Sequence, residues 1–255
     1  MEKEELQQFL EQKYLEFNTP LYIDSDPIQV PHMFTVKEDI EISAYLTSAI
    51  AWGRRQSIIA NAHKLVSLLE MSPYQFVMQA DESDYRRLSH FVHRTFNGDD
   101  CMFFVRALSN IYKEHGGLHY VFKTGYMKDL SIKSTLAYSR QIMLETPLRD
   151  ARDKHLANVF RNSSCKRVNM FLRWMVRSDN RGVDFGLWTD IPMSALFIPL
   201  DVHAGNVARK LGLLTRQQND WKAVEELTSK LREFCPSDPV KYDYSLFGLG
   251  VFEKF

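Results

Sequence analysis

Apolar positions recur at helical spacing along almost the whole of this chain. Leu6, Phe9, Leu10, Tyr14 and Phe17 form a first stripe, which stops at Asn18-Thr19-Pro20. After the irregular link Asp24-Ser25-Asp26-Pro27, Thr35 with Glu38 reads as a capping box opening a second helix. Ile42, Tyr45, Leu46, Ala49 and Ile50 form its apolar face, and Gly53 ends it after Trp52. Ile58, Ala62, Leu65, Val66 and Leu69 mark the next helix, and Ser72-Pro73 starts a short one. Asn97-Gly98-Asp99-Asp100 caps a helix carrying Phe104, Leu108, Ile111 and Tyr112, which Gly116-Gly117 stops. Leu136, Ile142 and Met143 lie in another, ended by Pro147, and Leu156, Val159 and Phe160 supply the apolar face of the first helix of a helical hairpin, whose turn is Arg161-Asn162-Ser163-Ser164. Val224, Leu227 and Leu231 follow the cap Asn219-Asp220, and Ser237-Asp238-Pro239 opens the last helix with proline at its first position. No strand alternation, hairpin-turn chemistry or internal repeat interrupts this pattern, which predicts an all-α fold.

The stretch from Ser163 to Leu211 departs from ordinary amphipathic patterning. Val168, Phe171, Leu172, Met175 and Val176 make one apolar face, while Lys166, Met170, Arg173 and Arg177 line the other. With Ser163 or Ser164 as the cap, Lys166 falls in the first helical turn. A lysine is electrostatically out of place there, because the unpaired N–H groups of a helix start resemble a partial positive charge. Further on, Pro199 discourages helix before it, Asp201 is a natural cap and Gly212 closes the helix that Asp201 opens. Each residue has a plain reading beside the chemical one. Lys166 is then a surface lysine, Asp201 a cap only, and the tryptophans are core.

A basic helix with an early lysine, followed by an aspartate capping a later helix, resembles the helix-hairpin-helix DNA glycosylase superfamily. The run Leu200-Asp201-Val202-His203, with Val207 and Arg209 after it, is similar to the aspartate motif of endonuclease III. A long connection entering through Ile198-Pro199-Leu200-Asp201 resembles the archaeal 8-oxoguanine glycosylase branch. Over nearly its whole length the chain also resembles an uncharacterised bacterial family, through Lys166-Arg167-x-Asn169-Met170-x-Leu172-Arg173-Trp174-Met175-Val176-Arg177. The resemblance implies a two-lobed, helix-hairpin-helix glycosylase-like fold forming one compact unit over 1–255. Lobe one spans about 35–155; lobe two joins about 1–34 to 156–255 and carries the hairpin, about 153–178, and the Asp201 helix.

The implied activity is that of a DNA repair glycosylase, with or without AP lyase activity, acting on a damaged duplex or an abasic site. Lys166 and Asp201 are its catalytic pair. Ser163, Ser164, Arg167, Arg173 and Arg177 would hold DNA at the hairpin, and Arg54, Arg55 and Gln56 would probe the duplex where a base is extruded. Trp188 and Asp184 are the candidates for the base pocket. One departure is the hairpin turn Asn162-Ser163-Ser164-Cys165, which lacks the family's glycine. Serine hydroxyls and the helix start remain able to hold a phosphate.

Composition narrows the alternatives. Positive and negative charges balance over the chain, so a nucleic-acid surface has to be local. From Arg149 to Arg181 there are nine lysines and arginines against three aspartates. The three cysteines, Cys101, Cys165 and Cys235, are widely spaced, which predicts a reducing, cytoplasmic setting and is too few for a four-cysteine iron–sulfur cluster. His203 near Asp201 has no further ligand at metal spacing. The expectation is therefore no metal, no cofactor, no membrane and no protein partner. Two other classes remain open on the same fold: a non-catalytic helical nucleic-acid-binding module, and an RNA-processing or protein-interaction role.

Overall fold

The computed structural model describes residues 2–148 and 153–255. Among them the chain forms helices and 3₁₀ turns, with only two isolated β-bridges, His93–Phe96 and Ser163–Asp220. The α-helices are α1 (Lys3–Phe17), α2 (Pro20–Ser25), α3 (Lys37–Ala49), α4 (Arg55–Leu68), α5 (Pro73–Gln79), α6 (Glu82–Leu88) and α7 (Gly98–Glu114). They continue with α8 (Leu118–Met127), α9 (Ile132–Met143), α10 (Lys166–Val176), α11 (Val202–Lys210), α12 (Trp221–Phe234) and α13 (Tyr242–Val251). The all-α class is as the periodicity implies. Several boundaries differ. Val36, not Thr35, precedes α3 and no side chain caps it. Val159 and Phe160 lie in a 3₁₀ turn rather than a full helix, and Phe160 is exposed. Pro239–Lys241 is also 3₁₀, so α13 starts three residues later than proline chemistry suggested.

The chain divides into two compact units, Ser25–Ala157 and Met1–Asp24 with Asn158–Phe255. In the first, α3 is buried from Ile40 to Ala49 and packs against α4 and α5, while α7 packs against α5, α6, α8 and α9. Residues 25–34, placed with the terminal lobe from sequence, belong here instead. The 3₁₀ turns Pro27–Gln29 and Pro31–Met33 lie on α3, which buries Ile28 and Val30. In the second unit, α13 is the common neighbour, packing against α1 on one side and α11 on another. Gly248 permits the α1 approach, since a Cβ there would sit 2.1 Å from the Phe17 ring. Nothing long and apolar enough to cross a membrane occurs among the described helices.

Arg173 and Arg177 are not the exposed phosphate contacts expected of them. They are 3% and 0% exposed, inside a network of carboxylates. Arg177 pairs with Asp179 (2.6 Å), Asp184 (3.0 Å) and Asp238 (2.9 Å) and donates to the Tyr14 hydroxyl (2.9 Å). Arg173 pairs with Asp184 (3.3 Å) and with Asp243, and its guanidinium lies 4.5 Å from the Tyr244 ring centre. Arg181 is tied to the carbonyls of Asn18 and Leu15. The basic surface read from Arg149 to Arg181 shrinks accordingly, and Arg149 and Arg152 fall outside the described residues. Asp184 is buried as a counter-ion of both arginines. Trp188 is fully buried edge-on to Phe171 at 5.3 Å. Neither residue is open to a flipped base.

Truncating one member of a buried ion network leaves its partners charged and unpaired. Arg177→Ala should therefore lower unfolding free energy by about 3–5 kcal/mol, measured by urea denaturation. A loss under about 1 kcal/mol, the range of an exposed pair, would show that the network contributes little.

Candidate functional site

The approach to Lys166 is a tight turn built without glycine. Asn162 and Cys165 both adopt left-handed backbone, with φ of +59° and +51°. Asn tolerates this conformation; Cys does so under strain. The turn is held from several directions. Asn162 donates to Asp220 (2.8 Å), Ser163 bridges to Asp220 through the backbone, and Ser163 Oγ accepts the Cys165 N–H (3.2 Å). Neither serine caps α10. Cys165 is the residue before it, and its side chain makes no capping hydrogen bond. Lys166 is thus the first residue of an uncapped helix, half-buried, with Arg167 beside it. The far end of α10 is closed differently. The Trp174 and Met175 carbonyls accept the N–H groups of Phe185 (2.8 Å) and Trp188 (2.9 Å) from the following loop.

Asp201 sits where its sequence context predicts. Its Oδ1 accepts the Ala204 N–H at 2.9 Å, capping α11, and its carbonyl accepts from Asn219 at 3.0 Å. Gly212, at φ +73°, closes that helix: its N–H reaches the Arg209 carbonyl (3.1 Å) and the Leu213 N–H reaches Ala208 (2.8 Å). Asp220 anchors the Lys166 turn to α12. It caps that helix through Ala223 N–H (3.1 Å) and takes a two-point contact from Arg216. The hydrogen bond from Arg216 holds its carboxyl well below the usual carboxylate range.

The residue that sequence reasoning missed is Asp243. It lies in the first turn of α13, 5% exposed and ion-paired to Arg173. Burial pushes its carboxyl up to about 6; Arg173 opposes the shift, Asp201 adds to it and Lys166 counters it. The signal in the sequence was a single acid in the otherwise apolar run Tyr242-Asp243-Tyr244-Ser245-Leu246-Phe247. Asn169, one turn on from Lys166, is also buried. It donates to the Ser164 carbonyl at 3.2 Å while its Oδ1 accepts no hydrogen bond from the described residues.

Arg54, Arg55 and Gln56 belong to the Ser25–Ala157 unit, at the start of α4. Arg54 and Gln56 are exposed, Arg55 is half-buried with the Ser25 carbonyl 3.4 Å away, and no side chain caps α4. Gly53, at φ +102°, leaves room for Arg94, whose guanidinium would lie 2.6 Å from a Cβ there. Behind them Trp52 stacks on His155 and meets His93 edge-on. His203 is exposed, and the described residues hold no cluster of three metal-ligating side chains.

Compared with known proteins, residues 26–252 match a family model described as a protein of unknown function (DUF2400). No curated protein and no solved structure matches the chain.

The Asp220 anchor carries a pH signature. A carboxyl held below its unfolded value contributes stability that is present above about pH 4 and lost as pH falls toward its folded value. Asp220→Asn keeps a capping oxygen but loses the ion pair with Arg216, so it should cost about 1 kcal/mol at neutral pH. The deficit should narrow steadily as pH drops below about 4. A deficit constant from pH 7 to pH 2.5, followed by thermal melts, would mean that charge is not what holds the turn.

Proposed function

Because the chain belongs to the DUF2400 family of proteins of unknown function, its activity has to be read from its own residues, and we propose that it is a DNA base-excision glycosylase working through Lys166 and Asp201. The observation that carries this reading is that one compact unit holds both a lysine opening a helix with no side-chain cap and an aspartate capping a later helix. The helical units then correspond to the two lobes of a helix-hairpin-helix glycosylase, with the hairpin turn at Asn162–Cys165.

In this reading the uncapped start of α10 receives a backbone phosphate, since its N–H groups and helix dipole favour an anion. Ser163, Ser164 and Arg167 border that point. A base is extruded from the stack. The Lys166 amine attacks the anomeric carbon, the bond to the base breaks, and its electron pair leaves with the base. Asp201 presents negative charge to the developing sugar cation. The sugar ring then opens, the C1′–O4′ electron pair going to O4′ with a proton from the amine nitrogen, and the resulting Schiff base on Lys166 is open to strand cleavage or hydrolysis. A non-catalytic nucleic-acid module on the same fold is the second reading; the cap that Asp201 makes is the observation in its favour.

Borohydride should trap a covalent protein–DNA adduct on a duplex bearing a susceptible lesion or an abasic site, and Lys166→Gln should abolish it. Trapping that survives the substitution would move the nucleophile to another amine.

Asp201 separates the two readings. Asn caps a helix nearly as well as Asp but carries no charge. Asp201→Asn should leave the melting temperature nearly unchanged while single-turnover base excision falls about 100-fold or more, the scale of a lost acid–base group. Full excision by a stable Asp201→Asn protein would reduce Asp201 to a cap and favour the binding module.

A further inference from the structure

We propose that the Ser25–Ala157 unit holds a binding site for an α-amino acid with an apolar or aromatic side chain, a role that does not depend on the base-excision reading. Four helices form a ring in this unit: α3 packs against α5, α5 against α7, α7 against α8, and α8 back against α3. Between them lies a cavity of about 310 Å³, a volume suited to a small molecule. Glu38 and Glu41, about one turn apart, line it from α3, and His119 and Lys123, also a turn apart, line it from α8. Tyr74 of α5 and Tyr112 of α7 add aromatic surface, and Tyr120 of α8 is a third ring.

The hydrogen bonds in this cavity show how close its walls stand. Glu41 is 2% exposed. Tyr112 donates to its Oε2 at 2.7 Å, and burial, with Glu41 beside it, keeps that phenol protonated. Gly117 makes room for the Tyr112 ring, since a Cβ there would lie 2.9 Å from it. Lys37 Nζ lies 3.6 Å from Glu41 Oε1 and 3.1 Å from His119 Nδ1. An ammonium only donates, so Nδ1 is the accepting nitrogen and the His119 ring is neutral. One ammonium therefore touches the α3 wall and the α8 wall at once. Glu38 is placed differently: it is half-buried and takes no hydrogen bond from the described residues.

Charge decides which ligand fits. Two lysines, Lys37 and Lys123, stand against Glu38 and Glu41, so the fixed charges of the lining balance. An anion would bring a third negative charge beside the two glutamates, and a cation a third positive charge beside the two lysines. A molecule with one charge of each sign brings neither excess. Its ammonium has Glu38 as acceptor and its carboxylate has Lys123 as donor, both charge-assisted contacts. Because a single ammonium spans the two walls, the ligand's charges have to be close together, as they are on the α-carbon of an amino acid. The Tyr74 and Tyr120 rings, both exposed, give its side chain an apolar surface to pack on.

Calorimetric titration of the full chain at neutral pH tests this with L-phenylalanine, phenethylamine and 3-phenylpropionate. The second lacks the carboxylate and the third lacks the ammonium. Phenylalanine should bind, and each of the other two should bind about 10-fold more weakly or worse, the scale of a lost hydrogen bond between charged groups. Glu38→Gln should weaken phenylalanine about 10-fold and leave 3-phenylpropionate unchanged, while Lys123→Met should weaken phenylalanine about 10-fold and leave phenethylamine unchanged. Thermal melts show whether each variant is folded, and the comparison of the three ligands on the wild-type chain decides the matter if one is not. Equal affinity for phenylalanine and either single-charge analogue overturns the proposal. So does phenylalanine binding that survives both substitutions, which puts the site elsewhere, or an absence of binding by both phenylalanine and leucine at millimolar concentration.

Discussion

The terminal unit is organised by two buried arginines. Arg173 and Arg177 lie on one side of α10, and their countercharges come from distant parts of the chain: Asp179 and Asp184 after the helix, Asp238 before the last 3₁₀ turn, and Asp243 in α13. Tyr14 of α1 completes the shell. A buried guanidinium is tolerated only when nearly all its donors are satisfied. These segments must therefore assemble together, because a partly built network leaves charge stranded in low dielectric. Two cations face four carboxylates. The excess negative charge is eased where burial raises proton affinity, at Asp238 and above all at Asp243.

That arrangement links the core of the unit to its candidate chemistry. α10 is clamped at its Arg177 end by ion pairs and is left electrostatically open at its Lys166 end. The network therefore fixes the orientation of the helix within the unit. Asp243, the buried counter-ion of Arg173, ties that end of the network to α13. A buried, ion-paired acid of this kind is held more rigidly than a surface acid would be.

Local chemistry made part of this legible in advance. Asn97, Asp201 and Asp220 were readable as caps because a short polar side chain before an apolar run has few other uses, and each accepts the expected backbone N–H. Gly212 was readable for the same kind of reason. Arg173 and Arg177 were not. A basic stripe on an amphipathic helix looks solvent-facing unless acids arrive to cover it, and Asp238 and Asp243 lie more than 60 residues downstream. Once those arginines turn inward, Asp184 and Trp188 follow them, so three expectations failed from a single long-range cause. The serines before α10 failed for a different reason. Cys165 takes the left-handed conformation that sets the helix start one residue after them, and no property of cysteine announces that.

The loop after α10 has one further consequence. Phe185 and Trp188 hydrogen-bond to the last carbonyls of the helix, and the Trp188 ring is seated on Phe171. The connection from Lys166 to Asp201 is thus no slack tether whose length merely has to suffice. Its middle is docked in register onto the helix it leaves, so that the path behaves as a strut with a fixed point near its centre. Length changes before Phe185 and after Trp188 are mechanically separate from one another. Variation on one side of that fixed point can alter the surface while the other side, which leads to Asp201, keeps its span.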